Sequence, residues 1–279
     1  MPRNLLQLYP QSPQLREVPL RGLYLAHRLH ELAPSGLPFV YGDFVTSLDG
    51  RIALCDGPSG QSRLPKSLTS DSDLRLLLEL HAQADCLITN GGYLRAIAQG
   101  RLDDILQVGS VPDHQDLAAW RQANGMRPQP AICIASASLD FAIPESVGRH
   151  AQQVFVATTR QADAARRRDL ERRGCEIIVA GAGPYVEGRP LAEALAHRGL
   201  RSAFLLAGPR MLETMVRDKV LARLYVTLTH QLLGGETFRS MVEGAELHAA
   251  GRLKLTALYL DSGSSNRTGQ LFAQFEPLR

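Results

Sequence analysis

The residues of this chain that could do chemistry sit in three polar turns, each closing a short apolar run. The first ends Pro38-Phe-Val-Tyr-Gly-Asp-Phe-Val-Thr with Ser47-Leu48-Asp49-Gly50. The second is Leu87-Ile-Thr-Asn90-Gly91-Gly92-Tyr93, where paired glycines let backbone amides approach a phosphate or an amide ring with no Cβ in the way. The third is Phe204-Leu-Leu-Ala207-Gly208-Pro209-Arg210-Met211-Leu212. Proline suits the first position of a helix, because the N–H it lacks has no partner there. The amides of Arg210, Met211 and Leu212 can then face an anion, and Arg210 can add a charged donor. Ser136 and Ser138 end another apolar run, and Thr158, Thr159 and Arg160 end a further one. A hydroxyl pair beside a cation can hold a phosphate monoester, and Thr159 can equally cap a helix. Turns of this kind bind and orient, which is what a protein contributes when a cofactor carries the reaction.

No catalytic triad and no paired carboxylates emerge from the spacing. Asp49 is the best-placed acid in a motif, although an aspartate in a tight turn also bonds its own backbone. His81 falls on a helical face. The four cysteines (Cys55, Cys86, Cys133 and Cys175) show no C-x-x-C spacing and the histidines do not cluster, so no metal site is expected. Cys86, Cys133 and Cys175 lie in or beside apolar runs and read as small buried hydrophobes in a reducing cytoplasm. A net charge of +3 is too small for a nucleic-acid surface. Arg166, Arg167, Arg168, Arg172 and Arg173 alternate with Asp169 and Glu171 and read as a solvated helix face. No apolar run approaches the ~20 residues needed to cross a bilayer, and the N-terminus lacks the apolar core of a signal peptide. The expectation is a soluble cytoplasmic protein acting on a small molecule, with neither nucleic acid nor membrane as partner.

The elements that must position these turns alternate along the chain. Strands are expected over 38–46, 85–90, 130–136, 152–158, 175–180, 202–207 and 223–230, and helices over 70–83, 160–173, 189–198 and 209–219. Ser70 can cap the first helix, and Gly174 and Gly199 stop two others. This alternation argues for a mostly parallel, doubly wound α/β sheet with ligands at the carboxyl ends of its strands. Segments 246–260 and 269–275 read as a closing antiparallel pair. Residues 1–37, punctuated by prolines, read as an extension outside the sheet, with a short amphipathic helix through Leu23, Ala26, Leu29 and Leu32. About twenty residues between Gly50 and Ser70, including Gly57-Pro-Ser-Gly60, Arg63, Pro65 and Lys66, read as a long loop able to act as a lid.

The order of these motifs resembles the reductase domain of bacterial bifunctional riboflavin-biosynthesis deaminase/reductases, the RibD C-terminal family of the dihydrofolate reductase-like superfamily, over roughly residues 38 to 275. Thr69, Asp85 and Asn90-Gly91-Gly92 occupy the family's threonine, aspartate and glycine turn, and Leu232-Leu-Gly-Gly-Glu236 resembles its late leucine-glycine-glycine turn. The resemblance implies a dihydrofolate reductase-like reductase domain over 38–279, a homodimer, and NADPH-dependent reduction of 5-amino-6-ribosylamino-uracil 5′-phosphate. It implies cofactor contacts at Val45, Thr69, Asn90, Gly91, Gly92, Tyr93, Ser136, Gly208, Pro209, Arg210, Met211 and Leu212. Substrate contacts fall at Asp43, Ser47, Asp49, His81 and Ala207.

The chain departs from the family at several of these positions. Asp43 stands where the family has lysine, His81 for arginine, Ser67 for tryptophan, Tyr93 for threonine, Ala207 for glutamate and Pro209 for glycine. An anion in place of a cation reverses the local field, which opposes a phosphorylated ligand nearby. The zinc deaminase signature (His-x-Glu with Pro-Cys-x-x-Cys) is missing, so the reductase unit is expected to stand alone. Two classes of function remain open: a reductase for the riboflavin precursor or for another small carbonyl, imine or pterin-like compound, and a silent relative that binds nucleotide or serves as a partner subunit. A transferase on a similar sheet would need a metal or base signature that the sequence lacks.

Overall fold

The computed structural model describes residues 3–56, 61–263 and 268–278. In chain order the strands are β1 (Asn4–Tyr9), β2 (Arg16–Pro19), β3 (Phe39–Thr46), β4 (Ala53–Asp56), β5 (Gln61–Arg63), β6 (Cys86–Asn90), β7 (Ala131–Ala135), β8 (Val154–Thr158), β9 (Glu176–Val179), β10 (Ser202–Leu205), β11 (Leu221–Thr229), β12 (Phe238–Arg239), β13 (Leu253–Asp261) and β14 (Gln270–Pro277). The helices are α1 (Asp71–His81), α2 (Gly91–Ala98), α3 (Asp116–Ala123), α4 (Glu145–Arg149), α5 (Ala164–Arg172), α6 (Gly188–Ala196) and α7 (Pro209–Arg217).

One sheet runs β2-β1-β13-β14-β11-β3-β10-β6-β7-β8-β9. From β11 to β9 every neighbouring pair is parallel. β14, β13, β1 and β2 extend it antiparallel beyond β11. The runs Cys86-Leu-Ile-Thr and Ala131-Ile-Cys-Ile-Ala are buried throughout, as strands covered on both faces must be. α6 and α7 cover one face through Leu191, Leu195, Leu212 and Met215. α1, α2 and α5 cover the other through Leu76, Leu80, Leu94 and Leu170. The neighbouring strands β10 and β6 therefore send their following helices to opposite faces. That divergence opens a crevice at their carboxyl ends, where open α/β sheets bind ligands.

β3 and the strands from β6 to β11, with α1, α6 and α7, begin and end within two residues of expectation. Helix α5 starts at Ala164 rather than at 160, because Asp163 is its cap and accepts from the Arg166 amide at 2.8 Å. Thr159 is thus no helix cap. β13 begins at Leu253, and residues 246–252 form turns instead of strand.

Two expectations about organisation are corrected. Residues 1–37 do not lie outside the sheet: β1 pairs with β13 and β2 pairs with β1. In place of the amphipathic helix there are two short turns, Leu25–His27 and Leu29–Glu31. They are bolted to α1 by the buried Glu79 carboxylate, which accepts from the amides of Gly22 at 2.6 Å and Tyr24 at 2.9 Å. Gln83 adds a bond from the Leu29 amide at 2.8 Å. The expected lid loop is also no plain loop. β4 and β5 pair as a hairpin, and β12 joins β4 to make a separate three-stranded sheet. Gly57-Pro-Ser-Gly60 lies outside the described residues.

Candidate active site

The crevice at β10 and β6 is a cleft of about 950 Å³. Its floor is the carboxyl end of the sheet, at Asp43 to Val45, Leu205 to Ala207, Asn90 and Ala135 to Ala137. The hairpin side contributes Ile52, Ala53, Gln61, Ser62 and Leu64, with Arg239 of β12 and Glu243 beyond it. The second, smaller sheet is therefore a wall of the cleft, which is the position the lid reading requires.

Two helices begin at the cleft. Asn90 caps α2, its side-chain oxygen accepting from the Tyr93 amide at 2.9 Å. A Cβ on Gly92 would lie 2.9 Å from that same oxygen, and one on Gly91 would lie 3.2 Å from Ser136 Oγ and from Phe141. Glycine at both positions lets the turn pass this close. Gly208 caps α7 with Pro209 at the first turn. Its carbonyl accepts from the Met211 amide at 3.0 Å and the Leu212 amide at 3.3 Å. Two of the three amides expected to face an anion, those of Met211 and Leu212, are thus taken up by this carbonyl. A Cβ on Gly208 would meet only Asn90 Nδ2, at 3.9 Å, so open space lies in front of this turn. The Arg210 guanidinium stands 4.3 Å over the Tyr185 ring, which holds it at the rim.

The cleft brings together Asp43, Val45, Asn90, Gly92, Tyr93, Ser136, Ala207, Gly208, Pro209, Arg210 and Met211. Arg95 and Arg101 line it as well, so cations gather at the end formed by α2. The Tyr93 hydroxyl is already engaged, donating to the Asp103 carbonyl at 3.0 Å and accepting from the Ile105 amide at 3.3 Å. Ser136 Oγ accepts from the Leu139 amide at 3.0 Å and shapes the turn after β7.

The other expected positions lie off the cleft wall. His81 closes α1, about 15 Å along the helix from its start. Burial pushes its imidazole down to about 3, so it is a neutral core residue away from the cleft lining. Leu212 belongs to the core between α7 and the sheet. Gly91 is buried beneath the α2 turn, and exposed Thr69 donates to the Lys66 carbonyl at 3.2 Å. Ser47 and Asp49 build their own turn: the Arg51 amide donates to Ser47 Oγ at 3.0 Å, and the Ser47 hydroxyl donates to Asp49. Asp49 also accepts from the amides of Leu233 at 3.2 Å and Gly234 at 2.9 Å and pairs with Arg51. The Ser47 hydroxyl and those amides hold its carboxyl well below the usual range. Asp49 is therefore the clasp between the Ser-Leu-Asp-Gly turn and the Leu-Gly-Gly turn.

The structure also pairs two carboxyls that the sequence keeps thirty residues apart. Asp43 sits in β3 opposite Tyr225 of β11. Asp73 lies in the first turn of α1, on the side of Thr227, two residues beyond Tyr225. Burial and then the neighbouring Asp73 push Asp43 well above the carboxylate range. Burial pushes Asp73 up to about 6, with the Thr227 hydroxyl acting in the other direction. Among the described residues, no group of histidines, cysteines and acids is placed to hold a metal, and no helix is long and apolar enough to cross a membrane.

Comparison with known proteins gives the family. The RibD C-terminal domain matches residues 38–263. Among solved structures, a pyrimidine reductase-like protein of Corynebacterium diphtheriae superposes with a TM-score of 0.62 at 21% identity, over 87% of this chain and 92% of that one. RibD of Acinetobacter baumannii superposes with a TM-score of 0.60 at 18% identity, over 88% of this chain and 59% of that one. A riboflavin biosynthesis reductase from Saccharomyces cerevisiae gives a TM-score of 0.58 at 13% identity, over 91% and 98% of the two chains. No curated protein matches the sequence. With a mostly parallel sheet, flanking helices and an antiparallel carboxyl-terminal pair, the chain has an α/β fold and belongs to the RibD C-terminal domain family.

Proposed function

We propose that this protein is an NADPH-dependent reductase of a small C=O or C=N compound. The observation that carries the reading is the pair of helix starts facing one cleft, α2 at Asn90-Gly91-Gly92 and α7 at Gly208-Pro209-Arg210. The residues present fit a dinucleotide: the glycines leave room at both turns, the helix ends are electropositive, and Arg95, Arg101 and Arg210 supply cations. When bound, NADPH supplies the hydride.

The protein's own residues do the rest. Gly208 and the Arg210 amide receive the pyrophosphate, with Arg210 kept in place over Tyr185. Asn90, Gly92, Arg95 and Ser136 lie toward the adenosine end. The hairpin wall, with Ile52 and Leu64, excludes water from the reacting centre. Val45, Leu206 and Ala207 present an apolar surface to the flat ring of a substrate. With Asp43 in place of the family lysine, its end of the cleft lacks the cation that would pair with a phosphate, which points away from the phosphorylated riboflavin precursor and toward an unphosphorylated heterocycle. A cytoplasmic homodimer is part of the same reading, and light scattering on the purified protein tests the subunit number.

Calorimetric titration tests the function. NADPH is expected to bind at a single site and more tightly than NADH. Gly208→Trp is expected to fold normally, because its Cβ has space, yet to lose binding at least tenfold. No heat with either dinucleotide at millimolar concentration would return the silent-relative reading.

A further inference from the structure

We propose that the Arg210 guanidinium is the platform on which the purine base of the dinucleotide stacks, and that Tyr185 is the positioning residue that holds this platform flat from beneath. The proposal rests on the reading of the cleft as a dinucleotide site and adds to it what recognises the base.

Three aromatic side chains line the cleft: Phe44, Tyr93 and Tyr185. Phe44 is buried in the core beneath α6 and α7. Tyr93 packs against the opposite core, and its hydroxyl is held by Asp103 and Ile105. Of the three, Tyr185 is the one that stands exposed, at 53%. Its ring carries the Arg210 guanidinium, 4.3 Å from the ring centre. Core packing does not account for an aromatic ring in that place. A planar cation laid flat on a ring, by contrast, keeps its second face open to another flat group.

The loop that carries Tyr185, between β9 and α6, is built to hold it still. The Glu187 amide closes its base by donating to the Ala180 carbonyl at 2.6 Å, and the Arg160 amide donates to the Gly181 carbonyl at 2.9 Å. The Glu187 carboxylate accepts from the Ala182 amide at 3.0 Å. A Cβ on Gly181 would lie 2.3 Å from the Tyr185 carbonyl oxygen, so glycine is what lets the two arms of the loop pass. Val186 is buried in the core beneath α6 and α7, which leaves the neighbouring Tyr185 outside it. A ring fixed in this way loses little freedom when a ligand arrives.

The sheet order decides which end of the dinucleotide meets this platform. From β3 the strands run β3-β10-β6-β7-β8-β9. Val45, beside which the nicotinamide is placed, belongs to the carboxyl end of β3; Gly208 follows β10, and Tyr185 follows β9. The pyrophosphate turn therefore lies between them in sheet order, and the ring stands on the adenosine side. Arg210 is two residues beyond Gly208 on the same helix turn, so a base joined through one ribose to a phosphate at Gly208 reaches the guanidinium. Stacking reads the flat face that NADPH and NADH share, and it leaves the choice between them to other groups.

Calorimetric titration of the whole chain with NADPH, with NADH and with adenosine 2′,5′-bisphosphate, which carries the base but no nicotinamide, tests the stack. Tyr185→Ala keeps the Arg210 charge and removes its support. It is expected to weaken all three ligands by the same factor, about tenfold, and so to leave the ratio of NADPH to NADH affinity as in the parent. Its urea midpoint is expected to match that of the parent, because the ring is exposed. Tyr185→Phe restores the ring and is expected to bind all three as the parent does. The proposal is overturned, with the cofactor reading left intact, by an alanine variant that binds NADPH within about twofold of the parent. A phenylalanine variant as weak as the alanine one, or a bisphosphate that binds the alanine variant as well as the parent, has the same consequence. Failure of NADPH to bind the parent protein overturns both.

Discussion

Replacing Glu79 by alanine is expected to cost about 4 kcal/mol of stability and to release the segment before β3 from α1. Glu79 is fully buried, yet it is an anion with partners on two sides. On one side it accepts from the amides of Gly22 at 2.6 Å and Tyr24 at 2.9 Å; on the other it accepts from Arg75 Nε at 2.8 Å. Arg75 keeps a second partner in the variant, the forked bonds to Asp116 at 2.8 and 2.7 Å, so its charge is not stranded. The Tyr24 amide has no such reserve, and a buried orphan N–H costs ~1–3 kcal/mol. Breaking a buried ion pair costs ~3–5 kcal/mol. These overlap in one side chain, so their sum is not the answer, and about 4 kcal/mol is the working value. For a protein of this size that corresponds to a fall in Tm of about 8 °C. Urea unfolding measures it, with Glu79→Gln as the control. Glutamine keeps one acceptor and the shape, so it is expected to lose less than alanine. An alanine variant within about 1 kcal/mol of the parent would refute the idea that residues 22–25 are anchored through this carboxylate.

Three further outcomes concern buried and clasped groups. His81 and His27 are held down to about 3 and about 4 by burial, so the unfolded chain binds protons that the folded one refuses. Stability from these groups is full above the ordinary histidine value of about 6.5 and is lost as pH falls toward 4, and His81→Leu is expected to flatten that slope in pH-dependent urea unfolding. Asp73, raised to about 6, has the opposite sign: it loses stability as pH rises from about 4 to 6, and Asp73→Asn is expected to remove that loss. Asp49→Asn is expected to speed hydrogen exchange at the Leu233 and Gly234 amides, which the carboxylate clasps, and to leave exchange at Leu205 in the sheet unchanged.

Much of the parallel core is legible in the sequence because burial on both faces writes continuous apolar runs, as at 86–89 and 131–135. The same physics hides β1 and β2. They lie at the edge and bury little beyond Leu5 and Val18, while Pro10, Pro13 and Pro19 read as breaks. The hairpin of β4 and β5 is short and exposed, so no hydrophobic alternation announces it. The glycine turns at 91–92 and 208 are legible because a strand followed by glycine and a helix start is local information. For His81, motif position says which residue it is, whereas the rotation of α1 decides that it faces the core. The Asp43–Asp73 pair escaped spacing altogether, since it forms only when α1 folds over β3. Its one visible trace is a charge inside the apolar run Phe39–Val45.

A crystal of this protein soaked with NADPH examines the central claim most directly. The account predicts density for the pyrophosphate at Gly208-Pro209-Arg210, with the adenosine toward Asn90, Gly92 and Ser136 and the nicotinamide between Val45 and the β4–β5 wall. A dinucleotide bound elsewhere on the molecule, with this cleft closed by its own side chains, would contradict it.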